Sequence, residues 1–198
     1  MQEVTNLNLM WRAVAIGCLG MLTSFNSSAQ KDKPTREIYQ AQAMGQSTQL
    51  GKTLNLTVNI ERYSTSEERQ VLVDVFQKAG SEGLFNTLEK MSSKGRIAIT
   101  GTLGYDISFV RKIPTADGYK IRILTNRPIR FGEAWANGRS TDYNLSAVEL
   151  DLNNEKSKST GVLLPACRFK IDKKTQELEI ETYQNPWTLQ NIQAWNKQ

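Results

Sequence analysis

The sequence predicts an α+β domain that is mostly antiparallel β, a sandwich or partly closed barrel of about eight strands with one inserted helical hairpin. Three observations lead there. From residue 54 onward, segment after segment alternates apolar and polar residues with a period of two, the signature of half-buried strands. Most links between these segments are short, and two of them are charged and polar, which points to antiparallel neighbours. Only one window, about 66–91, switches to helical spacing, and it follows the first strand.

Taken in order, "LNLTVNIERY" (54–63) sets Leu54, Leu56, Val58 and Ile60 on one face. Thr65 and Glu68 then fit a capping box, the hydroxyl accepting from a free backbone N–H while the carboxylate reaches back. "EERQVLVDVFQKAG" carries Val71, Leu72, Val75, Phe76 and Ala79 at helical spacing and stops at Gly80. "SEGLFNTLEKM" restarts a helix with Leu84, Leu88 and Met91 on one face, and the apolar stripe of the pair is expected to pack on a sheet. "GRIAITGTL" and "YDISFVRKIP" meet near Gly104, and "TADG" (115–118) supplies a hairpin turn into "YKIRILTNRPI", where Ile121, Ile123 and, less regularly, Leu124 alternate. Four further strands follow: "NLSAVELDL" (144–152), "GVLLPACRFKI" (161–171), "QELEIETY" (176–183) and "TLQNIQAW" (188–195). No period of 20–50 residues recurs, so a solenoid or propeller is not expected.

The N-terminus follows different rules. "MQEVTNLNLMWR", the apolar "AVAIGCLGML" and the small polar "TSFNSSAQ" have the layout of a secretory signal peptide over 1–29, with Ser27 and Ala29 placed for cleavage before Gln30. The apolar run is too short for a stable membrane span. Two alternatives remain open, a lipoprotein anchored through Cys18 and an uncleaved anchor. Residues 30–53 are polar with few β-branched residues and read as a leader or tether, leaving 54–198 as a single β-rich domain. Cleavage removes Glu3 and Arg12, so the formal net charge of +5 is unchanged. It also leaves Cys167 alone, so no intrachain disulfide can form and the domain must rest on its core. Cys167 lies in an apolar run and reads as a buried small hydrophobe, a reactive thiol beside Arg168 being the other reading.

The chain contains no histidine. That removes Ser-His-Asp and Cys-His nucleophilic machinery, histidine zinc sites and imidazole pH switching. No phosphate loop, dinucleotide fingerprint or calcium loop is present. No cofactor or metal is therefore expected, and the balance leans against an enzyme. Arg111, Lys112, Lys120, Arg122, Arg127 and Arg130 gather around one hairpin, but acids are interspersed elsewhere, so nucleic acid is not an expected partner. An anionic glycan, membrane headgroups, or simply a solvated strand face are the readings of that cluster.

The window "RFGEAWANGRSTDY" (130–143) concentrates more chemistry than any comparable stretch. Arg130, Glu133, Trp135, Arg139, Asp142 and Tyr143 form its candidate ligand- or partner-binding set, since aromatic and arginine anchors dominate recognition sites. The same residues could instead close a structural connection, with glycines for tight turns and Trp135 plugging a sheet end. Glu133 and Asp142 are the best-placed carboxylates for a hydrolytic pair.

"GRI" (95–97), "GTLGYDI" (101–107), the segment from Arg127 to Tyr143 and the closing "LEIETYQNPWTLQN" (178–191) together resemble a group of exported Gram-negative bacterial proteins of unknown function. The resemblance spans about residues 54–193 and implies a periplasmic or secreted globular domain; it brings no activity or ligand. The expectation is a non-enzymatic binding protein of the cell envelope, with a small molecule, glycan or envelope protein as partner. A structural or assembly component, or a carboxylate-dependent hydrolase, is the alternative.

Overall fold

A computed structural model of the chain describes residues 36–129, 143–171, 178–183 and 185–196. Segment 1–29, read above as a signal peptide, with the expected cleavage point before Gln30 and the anchor alternative at Cys18, lies outside the described residues. The described elements are β1 (Glu37–Met44), β2 (Thr53–Ile60), α1 (Ser66–Lys90), β3 (Gly95–Ile99), β4 (Tyr105–Thr115), β5 (Gly118–Thr125), β6 (Leu145–Asn153), β7 (Thr160–Ile171), β8 (Leu178–Thr182) and β9 (Trp187–Asn196). Among the described residues no helix is long and apolar enough to cross a membrane.

The strands run β6-β5-β4-β3-β2-β1-β9-β7, and β7 pairs again with β6, so the sheet closes into an eight-stranded antiparallel barrel. β8 is a ninth strand on the second half of β7, from Cys167↔Thr182 to Ile171↔Leu178, where β9 no longer follows. Closure pairs each of the eight barrel strands on both sides, and β8 is the edge strand that remains among the described residues.

The polar-leader reading of 30–53 is corrected by β1, which pairs with β2 on one side and β9 on the other. Without it the barrel would be open between those two strands. Its inward positions are Tyr39, Ala41 and Ala43, all buried, while Gln40 and Gln42 face out. The alternation is present but written in alanine and glutamine, which carry little strand propensity.

The interior is filled by one cluster that includes Leu56, Val58, Ile97, Val110, Ile121, Ile123, Leu150 and Trp187. An eight-stranded barrel of this kind is wide enough to be filled by its own side chains. A second cluster lies outside the barrel, where Leu72, Leu84 and Leu88 of α1 meet Leu145, Ala147, Leu164, Cys167 and Phe169. Leu124, irregular in the β5 alternation, belongs to this outer layer, because the helix covers that face. Cys167 is buried there, and burial pushes its thiol up to about 12 against the weaker opposing effect of the Ala147 backbone, as a small core residue requires.

Thr65 and Glu68 form the expected capping box, each accepting from the other's backbone N–H. Gly80 breaks α1 with φ 60° and ψ −151°, a left-handed conformation that glycine adopts without a Cβ clash. A straight helix of 25 residues would be about 37 Å long. Yet Lys94, beyond its end, reaches Glu68 near its start, and Arg62 meets Ser92. The two segments therefore fold back as a hairpin, with Gly83 so close to Ala79 and Val75 that a Cβ would collide with both. The buried stripe is Leu72, Leu84 and Leu88; Val71 faces solvent.

Candidate functional site

Of the six residues nominated in 130–143, Arg130, Glu133, Trp135, Arg139 and Asp142 lie outside the described residues. Tyr143 is described. Its ring stands 5.5 Å from that of Tyr183, and the Arg168 guanidinium sits 5.0 Å above it. Arg168 also pairs with Glu181 at 2.5 Å, so Tyr143 belongs to a partly exposed stack on the outer strands β7 and β8.

The basic residues of the β4–β5 hairpin do not form one face. The turn pairs Thr115 with Gly118, and pleating then sends alternate residues to opposite sides. Lys112 turns to the barrel end, where its ammonium lies 4.0 Å from the Tyr119 ring centre and 3.4 Å from Glu37 Oε1. Glu37 Oε2 accepts hydrogen bonds from Tyr63 (2.7 Å) and from Tyr39. This cluster closes one end of the barrel with polar groups that satisfy one another. Burial, and then the Glu37 carboxylate, push the hydroxyls of Tyr39 and Tyr63 far above the ordinary 10.0. In an alkaline titration followed by phenolate absorbance, these two should stay protonated until the barrel unfolds. Because their folded pKa is raised, the stability they lend is complete below about pH 10 and falls as pH rises above it. Ionisation of all six tyrosines in the native protein near pH 10 would contradict this placement.

Arg111 and Arg122 turn outward and stand directly opposite each other on β4 and β5. Like charges in that position destabilise a sheet. Arg69 of α1 faces the same spot, and the three rim a groove of about 190 Å³ between helix and barrel. Its apolar floor includes Leu72, Phe76, Phe109 and Phe169. Phe76 and Phe169 meet edge to face at 6.4 Å. Burial first, and then the facing charges of Arg69 and Arg122, hold Arg111 below the ordinary arginine value.

The nearby acids do not balance this charge. Glu149, buried on β6, accepts from Arg122 Nε at 2.7 Å and Lys120 at 3.1 Å, and Lys120 also meets Asp151 at 3.1 Å. Lys120 and Arg122 thus share Glu149 and Asp151, and among the described residues neither Arg69 nor Arg111 has an acidic partner. A mixed surface ordinarily pairs such groups; here a positive field is left facing an apolar recess.

The register could have exposed this arrangement. Once "TADG" fixes the turn, residues whose numbers sum to 233 stand opposite each other, which pairs Arg111 with Arg122. The contribution of Arg69 depends on how the helix lies over the barrel, which local spacing does not encode. Among the described residues no three potential metal ligands come together. Comparison with known proteins finds no matching family model, curated protein or solved structure.

Proposed function

We propose that this is a non-enzymatic binding protein of the bacterial cell envelope, which takes an anionic amphiphile in the groove between α1 and the outer face of β4 and β5. The N-terminal signal layout and the resemblance to exported proteins support the location. The observation that carries the ligand class is the juxtaposition of Arg69, Arg111 and Arg122 over a phenylalanine-rich floor. An anionic head group, carboxylate or phosphate, supplies the acidic partner that Arg69 and Arg111 lack among the described residues, and its alkyl chain covers the apolar floor.

The same residues argue for binding rather than turnover. Guanidinium groups hold an anion through forked donors, but they stay charged at neutral pH and offer no proton to shuttle. Among the described residues the groove lining holds no carboxylate, lysine, serine or cysteine to act as base or nucleophile. The barrel interior is a packed core, so recognition falls to the outside.

Calorimetric titration with dodecanoate should show binding that dodecyltrimethylammonium does not reproduce and that weakens with salt. Arg111→Ala should weaken it about 10–100-fold, the equivalent of losing one hydrogen bond to a charged group at about 1.5–3 kcal/mol. Arg127→Ala, whose guanidinium lies over Tyr105 instead, serves as the control. Equal binding of the cationic detergent, or indifference to both Arg69→Ala and Arg111→Ala, would sink the assignment.

A further inference from the structure

The opposite side of the barrel carries chemistry of another kind. The outward positions of three adjacent strands, β2, β1 and β9, bear no charged side chain. The cross-strand rows read Gln193–Gln40–Thr57 and Gln190–Gln42–Asn55. At one end of the face Trp195 stands 56% exposed, in register with Ile38 and Asn59. In a chain with 23% charged residues, a solvated strand face would ordinarily carry lysine and glutamate, which also guard sheets against association.

Three features make this face more than a bland surface. First, the side chains of Gln40, Asn55, Thr57, Gln190 and Gln193 make no hydrogen bond within the protein among the described residues, so their donors and acceptors point to solvent. The Asn59 side-chain oxygen is sequestered without a partner. Second, β9 carries a bulge opposite Ala41, with Asn191 in the left-handed region at φ 52°. Bulges re-aim side chains. This one buries Ile192 and exposes Gln190, Asn191 and Gln193 together, and Asn191 Nδ2 donates to Gln42 Oε1 at 3.1 Å. Third, two hollows of about 370 and 510 Å³ adjoin across β9 and share Asn191 and Gln193; the larger runs along to Trp195 and is bordered on its other side by Lys156, Ser157 and Ser159.

From these we infer that the β2–β1–β9 face binds a neutral oligosaccharide. Amides and hydroxyls each donate and accept, which matches the dual character of sugar hydroxyls. With no charge on the three strands, and Lys156 the one charged residue lining either hollow among the described residues, most of the desolvation cost that ionic side chains would impose on an uncharged ligand is spared. An exposed indole offers the flat apolar platform that the C–H face of a pyranose ring needs. This site is independent of the arginine groove in residues and in ligand charge.

The test is titration of the purified protein with maltohexaose, cellohexaose and chitohexaose, with polygalacturonate as the anionic comparison, followed by calorimetry and tryptophan fluorescence. At least one neutral hexaose should bind at millimolar concentration or below and shift the Trp195 emission. Trp195→Ala and Gln193→Glu should each weaken that binding roughly tenfold or more, with thermal melts unchanged because both side chains are exposed. Arg111→Ala should leave it intact, which separates failure here from failure of the groove assignment. Absence of binding to all three neutral hexaoses, or binding that ignores both substitutions, overturns the inference. So does a dimer that Gln193→Glu dissociates, which would assign the face to a second copy of the chain.

Discussion

Replacing Glu68 with alanine is expected to destabilise the domain by about 3–6 kcal/mol, a large part of the roughly 5–15 kcal/mol that ordinarily holds a domain folded. Two losses coincide at this carboxylate. One of its oxygens accepts from the Thr65 N–H to complete the capping box, and the other pairs with Lys94. The Lys94 side chain is only 2% exposed, so removing its partner strands a charge out of water. The backbone of Lys94 also binds Glu61, Arg62 and Ile107, which leaves the residue little freedom to swing out. Glu68→Gln keeps the cap and should cost less, and adding Lys94→Met to it should recover part of the loss, because the stranded charge is then gone. Urea denaturation followed by circular dichroism measures all three, with exposed Glu67→Ala as the reference. Burial works to raise the Glu68 pKa, but hydrogen bonds from Lys94 and Thr65 outweigh it and hold it below the ordinary 4.5. The charged pair is thus fully present above about pH 4.5, and the gap between wild type and Glu68→Ala should narrow as pH falls below it. A cost for Glu68→Ala no larger than that for Glu67→Ala would remove the clasp from the account.

How much of this could be read in the chain depended on whether a feature was local. The capping box, the Gly80 stop, the "TADG" hairpin and eight of the nine strands rest on neighbouring residues, and local spacing carries them. β1 escaped because Tyr39, Ala41 and Ala43 fill inward positions without β-branched bulk, so the period of two lay in burial rather than in letters. Val71 looked like core from its hydropathy and is exposed, since the helical stripe is set by where α1 meets β7 and β4. The Glu68–Lys94 clasp joins residues 26 apart across a hairpin, and no spacing rule anticipates it. The site was legible in fragments only. Arg111 and Arg122 stood out as part of a basic hairpin, but Lys112 and Lys120 beside them serve Glu37 and Glu149 instead. The window 130–143 stands out by composition; the groove is built from residues on four separate elements, α1, β4, β5 and β7, that composition does not join.

Trp187→Ala is expected to cost about 3–5 kcal/mol, the range for truncating a buried aromatic ring to alanine, and to lower the midpoint of thermal unfolding by roughly 6–20 °C. Trp187 is 1% exposed, opens β9 opposite Leu163, and is the largest fully buried side chain among the described residues. Its core cluster also contains Ala41 and Ala43 on the neighbouring strand β1, so the bulk that β1 does not supply has to come from elsewhere. The neighbouring backbone is tied into a closed ladder and can collapse only partly onto the space left, which keeps the cavity term large. Trp187→Phe removes less volume and should cost less. The same substitution also tests where ligands bind. If the interior is a core and recognition lies outside, Trp187→Ala should create a dry hollow able to take benzene, as engineered apolar cavities do. Dodecanoate affinity, set by Arg69 and Arg111 on the far side of the barrel wall, should stay within about twofold at temperatures where the variant is folded. Loss of dodecanoate binding in folded Trp187→Ala, with no loss in Arg111→Ala, would move the ligand into the barrel and overturn the outer-groove assignment.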